Sequence, residues 1–224
     1  MRLYRARCRS SRDRKRACFS GRISLLYLRK DLVKKVMVMP KPGADRTKGF
    51  TYADYVNWEG DERWEVIDGV AYLQASPSAI HQRVVLRLGA EFDRYLRGKS
   101  CAAYVAPMDL TFESGMTTRN VVQPDLFVMC GSYTEGSRIV GIPTLVVEVL
   151  SPSTATQDYV RKMNLYQQVG IAEYWIVDPV VRVINVYRRE DSRLRWFAEY
   201  KEGDALSPSM FPDLTIEVNT VFAL

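Results

Sequence analysis

At 224 residues and 47% apolar content, the chain is long enough for one large domain or two small ones and has the composition of a soluble globular protein. No run approaches the ~20 consecutive apolar residues of a membrane-spanning helix. The cysteines Cys8, Cys18, Cys101 and Cys130 are scattered, without a CxxC pair or a histidine cluster, which argues against a zinc site and a disulfide framework and fits a reducing cytoplasm. The net charge of +6 does not describe the whole chain evenly: residues 1–36 hold 13 basic and 2 acidic side chains, leaving 32 − 13 = 19 basic and 26 − 2 = 24 acidic, net −5, in residues 37–224. The basic isoelectric point is therefore weak support for nucleic-acid binding by the folded part.

Residues 1–47 read as a basic tail with no sustained apolar period, and residues 48–224 as a single domain. Three readings of the tail stay open. It can be a disordered arm that holds nucleic-acid phosphates. It is similar to a transit peptide in being arginine-rich and acid-poor. Or it lies upstream of the true start at Met37 or Met39, the reading preferred here, since Met39-Pro40-Lys41-Pro42-Gly43 resembles a flexible lead into a domain.

Thr51 can cap a short helix over residues 52–58. Asp68-Gly69 between Trp64–Ile67 and Val70–Leu73 is a strong hairpin signal. After Ser76-Pro77-Ser78, the residues Ile80, Val84, Val85, Leu88, Phe92, Tyr95 and Leu96 recur at three- and four-residue steps, predicting an amphipathic helix over 78–97 closed by Gly98. Its Arg83, Arg87, Arg94 and Arg97 form either a basic stripe or, preferably, a solvated face. Strands are predicted at 102–106, 109–113 and 121–129, then at 144–150. A helix over 158–169 follows, and three strands at 174–177, 181–187 and 194–200. The order of elements predicts one α/β domain, α+β-like, with a mixed sheet flanked by helices.

Glu148 interrupts Leu145-Val146-Val147-Glu148-Val149-Leu150, which otherwise reads as a strand buried on both faces. A carboxylate there costs several kcal/mol unless a cation or hydrogen-bond donors compensate. It is either a structural partner of an arginine or a metal ligand. Asp125 repeats the situation after Pro124, and alternation puts Gln123, Asp125 and Phe127 on one strand face. Two acids on neighbouring strands repel, and a divalent cation such as Mg2+ resolves that conflict by taking oxygen ligands. The chemistry implied is metal-assisted phosphodiester hydrolysis. Asp158, Lys162 and Tyr166 share one face of the following helix, where Lys162 is either part of the site or half of an ordinary surface pair. Glu65 alternates with Ile67 in the first hairpin. His81, the single histidine, stands near the start of the long helix, where capping or packing is the commoner role.

These blocks, in this order and spacing, resemble the Uma-type restriction endonucleases of bacteria: Trp64-Glu65-Val66-Ile67-Asp68-Gly69; Ser76-Pro77-Ser78 with His81; Gln123-Pro124-Asp125-Leu126; Glu148 to Thr154 with Asp158, Lys162 and Tyr166; and Glu173 to Pro179. The resemblance covers about residues 48–224. It implies the restriction-endonuclease-like PD-(D/E)xK core, with Pro124-Asp125 as the PD element and Glu148 as the acidic one. The lysine expected two residues later is Leu150 here, and the family supplies it from the next helix, matching Lys162. The resemblance further implies Mg2+ (Mn2+ substituting) held by Asp125 and Glu148, with Glu65 and the Val149 carbonyl as additional ligands. Gln123, Tyr166 and His81 are supporting residues. DNA is the implied substrate and a homodimer would suit double-strand cleavage. The alternative is a nuclease fold that binds nucleic acid or protein without cutting.

Overall fold

The computed structural model describes residues 49–151 and 155–223. The basic tail, Cys8, Cys18 and residues 152–154 lie outside that range, as does the side chain of Asp158. Thr51 starts helix α1 (Tyr52–Tyr55) through a reciprocal capping box with Asp54, shorter than the 52–58 anticipated. Strands β1 (Trp64–Ile67) and β2 (Val70–Leu73) form the expected hairpin, and the positive φ of Asp68 (53°) and Gly69 (80°) is that of a type I′ turn. Helix α2 (Ala79–Leu96) is capped by the Ser78 hydroxyl, which accepts from the His81 backbone N–H. Then come β3 (Ala102–Val105), β4 (Leu110–Thr111), β5 (Leu126–Met129), β6 (Ile139–Val140) and β7 (Leu145–Val149). Helix α3 (Ala155–Val169) precedes β8 (Glu173–Asp178), β9 (Val183–Glu190) and β10 (Arg193–Lys201). The chain closes with β11 (Ala205–Leu206), β12 (Ile216–Glu217) and α4 (Val218–Phe222).

Six strands make the central sheet in the order β10-β9-β8-β7-β5-β3. Only β7 and β8 pair in parallel, α3 being the crossover between them; the other pairs are antiparallel, so the sheet is mixed. Alternation along β7 divides the core. Leu145, Val147 and Val149 pack with Val84, Leu88 and Phe92 of α2 and with Val218, Val221 and Phe222 of α4. Val146 faces the other way, onto Leu165 and Tyr166 of α3. The sheet is thus sandwiched between α2 with the C-terminal segment and α3 with the small strands. Burying both faces explains why β5 and β7 read as unbroken apolar runs.

Several expectations change. Ile80 is exposed, and His81 takes its place at the buried start of the α2 stripe. The strand expected over 121–129 is two pieces. Val121 and Val122 bridge to Val66 and Leu110, and only Leu126–Met129 joins the central sheet. Pro124, lacking an N–H, sits at the break. Three of the four arginines of α2, Arg83, Arg94 and Arg97, form the solvated face preferred, with Arg97 pairing with Asp93 at 2.8 Å in the open; Arg87 instead is half-buried and donates to the carbonyls of Val221 and Ala223. The expectation of unpaired cysteines is overturned. Cys101 and Cys130 form a disulfide across 29 residues, because the β3–β5 register that pairs Ala102 with Met129 brings the flanking residues 101 and 130 opposite each other. Sequence spacing carries no trace of that register, and the cysteines no longer speak for a reducing compartment. No helix among the described residues is long and apolar enough to cross a membrane.

Candidate active site

Strand register sets the centre of the site. β5 and β7 pair Leu126 with Val147 and Phe127 with Val146, so one further step sets Asp125 opposite Glu148. Like charges directly across a sheet repel. Glu148 points to the α3 face, where Lys162 and Tyr166, one helical turn apart, both reach it. The Lys162 ammonium donates to Glu148 Oε1 at 3.0 Å and the Tyr166 hydroxyl donates to the same oxygen at 2.7 Å. Lys162 Nζ also lies 3.1 Å from Glu65 Oε1.

Fully ionised, Glu65, Asp125 and Glu148 against Lys162 sum to −3 + 1 = −2. This excess sits where water is scarce, since Glu65 is 0%, Lys162 5% and Glu148 8% exposed. Burial pushes the Glu148 carboxyl up to about 8; Lys162 opposes the rise, and the negative charges of Asp125 and Glu65 add to it. Burial, together with Glu148 and Glu65, also drives the Tyr166 hydroxyl well above its usual range, so it stays a donor.

Asp125, Glu148, Val149, Lys162, Gln123 and His81 line one pocket at this end of the sheet. Asp125 Oδ2 accepts from the Val149 N–H at 2.8 Å and meets His81 Nε2 at 3.1 Å. An ionised aspartate can only accept, which puts a proton on Nε2; the other ring nitrogen, Nδ1, is buried without a hydrogen-bond partner among the described residues. Tyr166 lies behind Glu148, fully buried. Glu65 also lies behind the pocket wall. Its Oε2 takes the Gln74 side-chain N–H at 2.9 Å, and its Oε1 takes the Gln123 backbone N–H at 2.7 Å as well as Lys162. With both oxygens occupied, Glu65 anchors Lys162 and the Gln123 loop. Asp125 and Glu148 remain as the acids that reach the pocket. Among the described residues no three His, Cys, Asp or Glu side chains gather as a metal cluster.

Reading the sequence missed Arg63, Gln74 and Tyr174, which also line the pocket. A signal for Arg63 existed, since period two places it on the Glu65 face of the hairpin. Gln74 lies one step beyond the paired Trp64–Leu73, where its N–H bonds the Arg63 carbonyl. Tyr174 carried no distinguishing signal within an apolar strand.

Comparison with known proteins adds a family and a fold. The family model Uma2, described as "Putative restriction endonuclease", matches residues 52–219. Two relatives from Synechocystis sp. are the uncharacterized proteins slr1290 and sll1609. The first is 30% identical over 174 residues, 76% of this chain and 90% of the relative. The second is 27% identical over 153 residues, 66% and 85% respectively. A crystal structure described as "a putative nuclease belonging to DUF820", from Anabaena variabilis, superposes with a TM-score of 0.63 at 17% identity. It spans 78% of this chain and 98% of that one. At that identity the likeness carries the fold, which is restriction-endonuclease-like.

Proposed function

Because the chain belongs to the Uma2 restriction-endonuclease family, we propose that it is a metal-dependent endonuclease hydrolysing DNA phosphodiester bonds, with Asp125, Glu148 and Lys162 as its catalytic residues. The observation that carries this reading is half-buried Asp125 set opposite buried Glu148, with Glu65, Asp125 and Glu148 gathered around Lys162, a negative excess when the three acids are ionised. A divalent cation fits that charge, and the donor set fits Mg2+ or Mn2+, which take one or two carboxylates and leave other positions to water and phosphate. Asp125 and Glu148 would hold the ion, with the Val149 carbonyl as a further oxygen. When bound, it supplies positive charge to the phosphate and acidifies water.

The chain's own residues do the rest. His81 and the Val149 N–H fix Asp125 through one oxygen. Lys162 and Tyr166 fix Glu148 through Oε1 in the same way, and Lys162 puts a positive charge at the wall where a phosphate would bind. Gln123 positions the loop that carries Asp125 by donating its N–H to Glu65. Cutting both strands of a duplex calls for two such pockets, hence a homodimer, and the substrate calls for the cytoplasm. The test is incubation of plasmid with purified protein in Mg2+ or Mn2+, with and without EDTA. Nicking or linearisation that EDTA abolishes is the expected result. DNA retention without any cut in either metal would instead mark a binding module built on a nuclease fold.

A further inference from the structure

A phosphate that approaches Asp125 and Glu148 meets two carboxylates, so the site needs cations that are not already spent on the protein's own acids. Lys162 is shared by Glu65 and Glu148. Arg63 differs. It is half-buried at the entry of β1, lines the same pocket as Asp125, Glu148 and Lys162, and its Nε donates at 3.0 Å to Gln123 Oε1, a neutral acceptor. Among the described residues no ion pair and no hydrogen bond involves its two Nη groups.

The neutral partner is held in place by charge one step away. The Gln123 side-chain N–H donates to Asp109 Oδ1 at 2.8 Å and to the Tyr55 hydroxyl at 3.1 Å, while that hydroxyl donates to the same Asp109 oxygen at 2.8 Å. Asp109 can only accept, so it fixes the amide with nitrogen inward and oxygen toward Arg63. Asp109 thus orients the arginine through Gln123 without neutralising it. What results is an oriented guanidinium with its planar Nη fork unspent beside an acidic pocket, the geometry that binds phosphate oxygens bidentately.

We propose that Arg63 is a phosphate-binding residue that seats the nucleic-acid backbone at the pocket entrance next to Asp125 and Glu148. This rests on the nuclease reading above and adds to it a contact that is indifferent to base sequence.

The experiment measures binding of fluorescent DNA duplexes of two different sequences to wild type, Arg63→Gln, Arg63→Ala and Arg63→Lys. It is run in Ca2+ and in EDTA between ~50 and ~200 mM salt, with duplex integrity checked on a gel and folding checked by thermal melts. One lost phosphate contact lowers the slope of log K against log salt by about 0.9, which is roughly an 8-fold loss of affinity near 0.1 M salt. That loss is expected equally for both sequences in Arg63→Gln, or in Arg63→Ala if Gln fails to fold. Arg63→Lys should restore the slope. An unchanged slope overturns the proposal while leaving the nuclease reading intact, and so does a loss confined to one sequence, which would indicate a base contact. Wild type that binds no duplex in either condition overturns both.

Discussion

Replacing Glu148 by Gln separates a metal ligand from a structural acid, and the structure sets the sign of the effect. Both donors to Glu148, Lys162 and Tyr166, converge on Oε1. A glutamine can keep its oxygen there and turn its amide away from them. Lys162 is not orphaned either, because Glu65 remains 3.1 Å away. The Glu148 carboxyl is raised from 4.5 to about 8 by burial first, with Asp125 and Glu65 adding to it. Folding of metal-free wild type therefore takes up a proton between those values. The associated stability is fully present below pH ~4.5 and is lost as pH rises through ~8, a total of a few kcal/mol at ~1.36 kcal/mol per pH unit. Glu148→Gln mimics the protonated acid and should not show that decline. In EDTA the two proteins should melt close together at pH 5, and the mutant should melt higher at pH 9, by roughly 10–20 °C at 2–4 °C per kcal/mol. Mg2+ should raise the wild-type melting temperature at pH 8, leave the mutant unmoved, and support cleavage only by wild type. A mutant less stable than wild type in EDTA at pH 8–9, by the ~3–5 kcal/mol of a broken buried pair, together with a wild type indifferent to Mg2+, would refute the reasoning.

Reduction of the Cys101–Cys130 bridge, or Cys101→Ser, should lower stability by about 3–4 kcal/mol, the chain-entropy cost for closing a loop of roughly 30 residues; equal denaturation midpoints with and without reductant would contradict this. Deleting residues 1–36, which carry 13 basic side chains and no sustained apolar period, should leave the melting temperature and metal-dependent cleavage essentially unchanged. A marked loss of stability would place the tail in the fold.

Elements whose signals are local were legible. The Asp68-Gly69 turn, the α2 stripe from Val84 to Leu96 and the buried runs of β5 and β7 each follow from a few neighbouring residues. Asp125 and Glu148 stood out for the same reason, as acids in apolar strands. What depends on tertiary register was not legible. The Cys101–Cys130 pairing exists only once β3 and β5 align, and the two-residue strands β6, β11 and β12 are too short to show a period. Arg63 was overlooked because its significance lies in what it lacks, a carboxylate partner among the described residues, and a sequence does not reveal that. Glu65 was legible as an interior acid, but its saturation by Gln74, Gln123 and Lys162 depends on contacts across 9, 58 and 97 positions of the chain.

Burial alone does not mark a functional acid, as Glu173 makes clear. It stands on β8, beside β7, and is 1% exposed, less than Glu148. Its surroundings are complete: the Trp175 indole N–H donates to Oε1 at 2.6 Å, while the Ser209 N–H at 2.8 Å and Arg188 Nε at 3.3 Å both donate to Oε2. Every group facing it is a donor, and one of them carries the opposite charge. Glu148, by contrast, shares its one cation with a second acid and faces a third. The same isosteric change should therefore have opposite consequences at the two positions. In Glu173→Gln the new amide must present N–H groups to at least one existing donor, and Arg188 loses its partner. The cost should be about 3 kcal/mol, the lower end of the range because Arg188 is 26% exposed. At 2–4 °C per kcal/mol this is a fall of roughly 6–12 °C, in EDTA and in Mg2+ alike. The rise produced by Mg2+ should be as large as in wild type. If Glu173→Gln instead melted like wild type at pH 8 and abolished the Mg2+ response, the metal site would have to be moved along the sheet from β7 to β8.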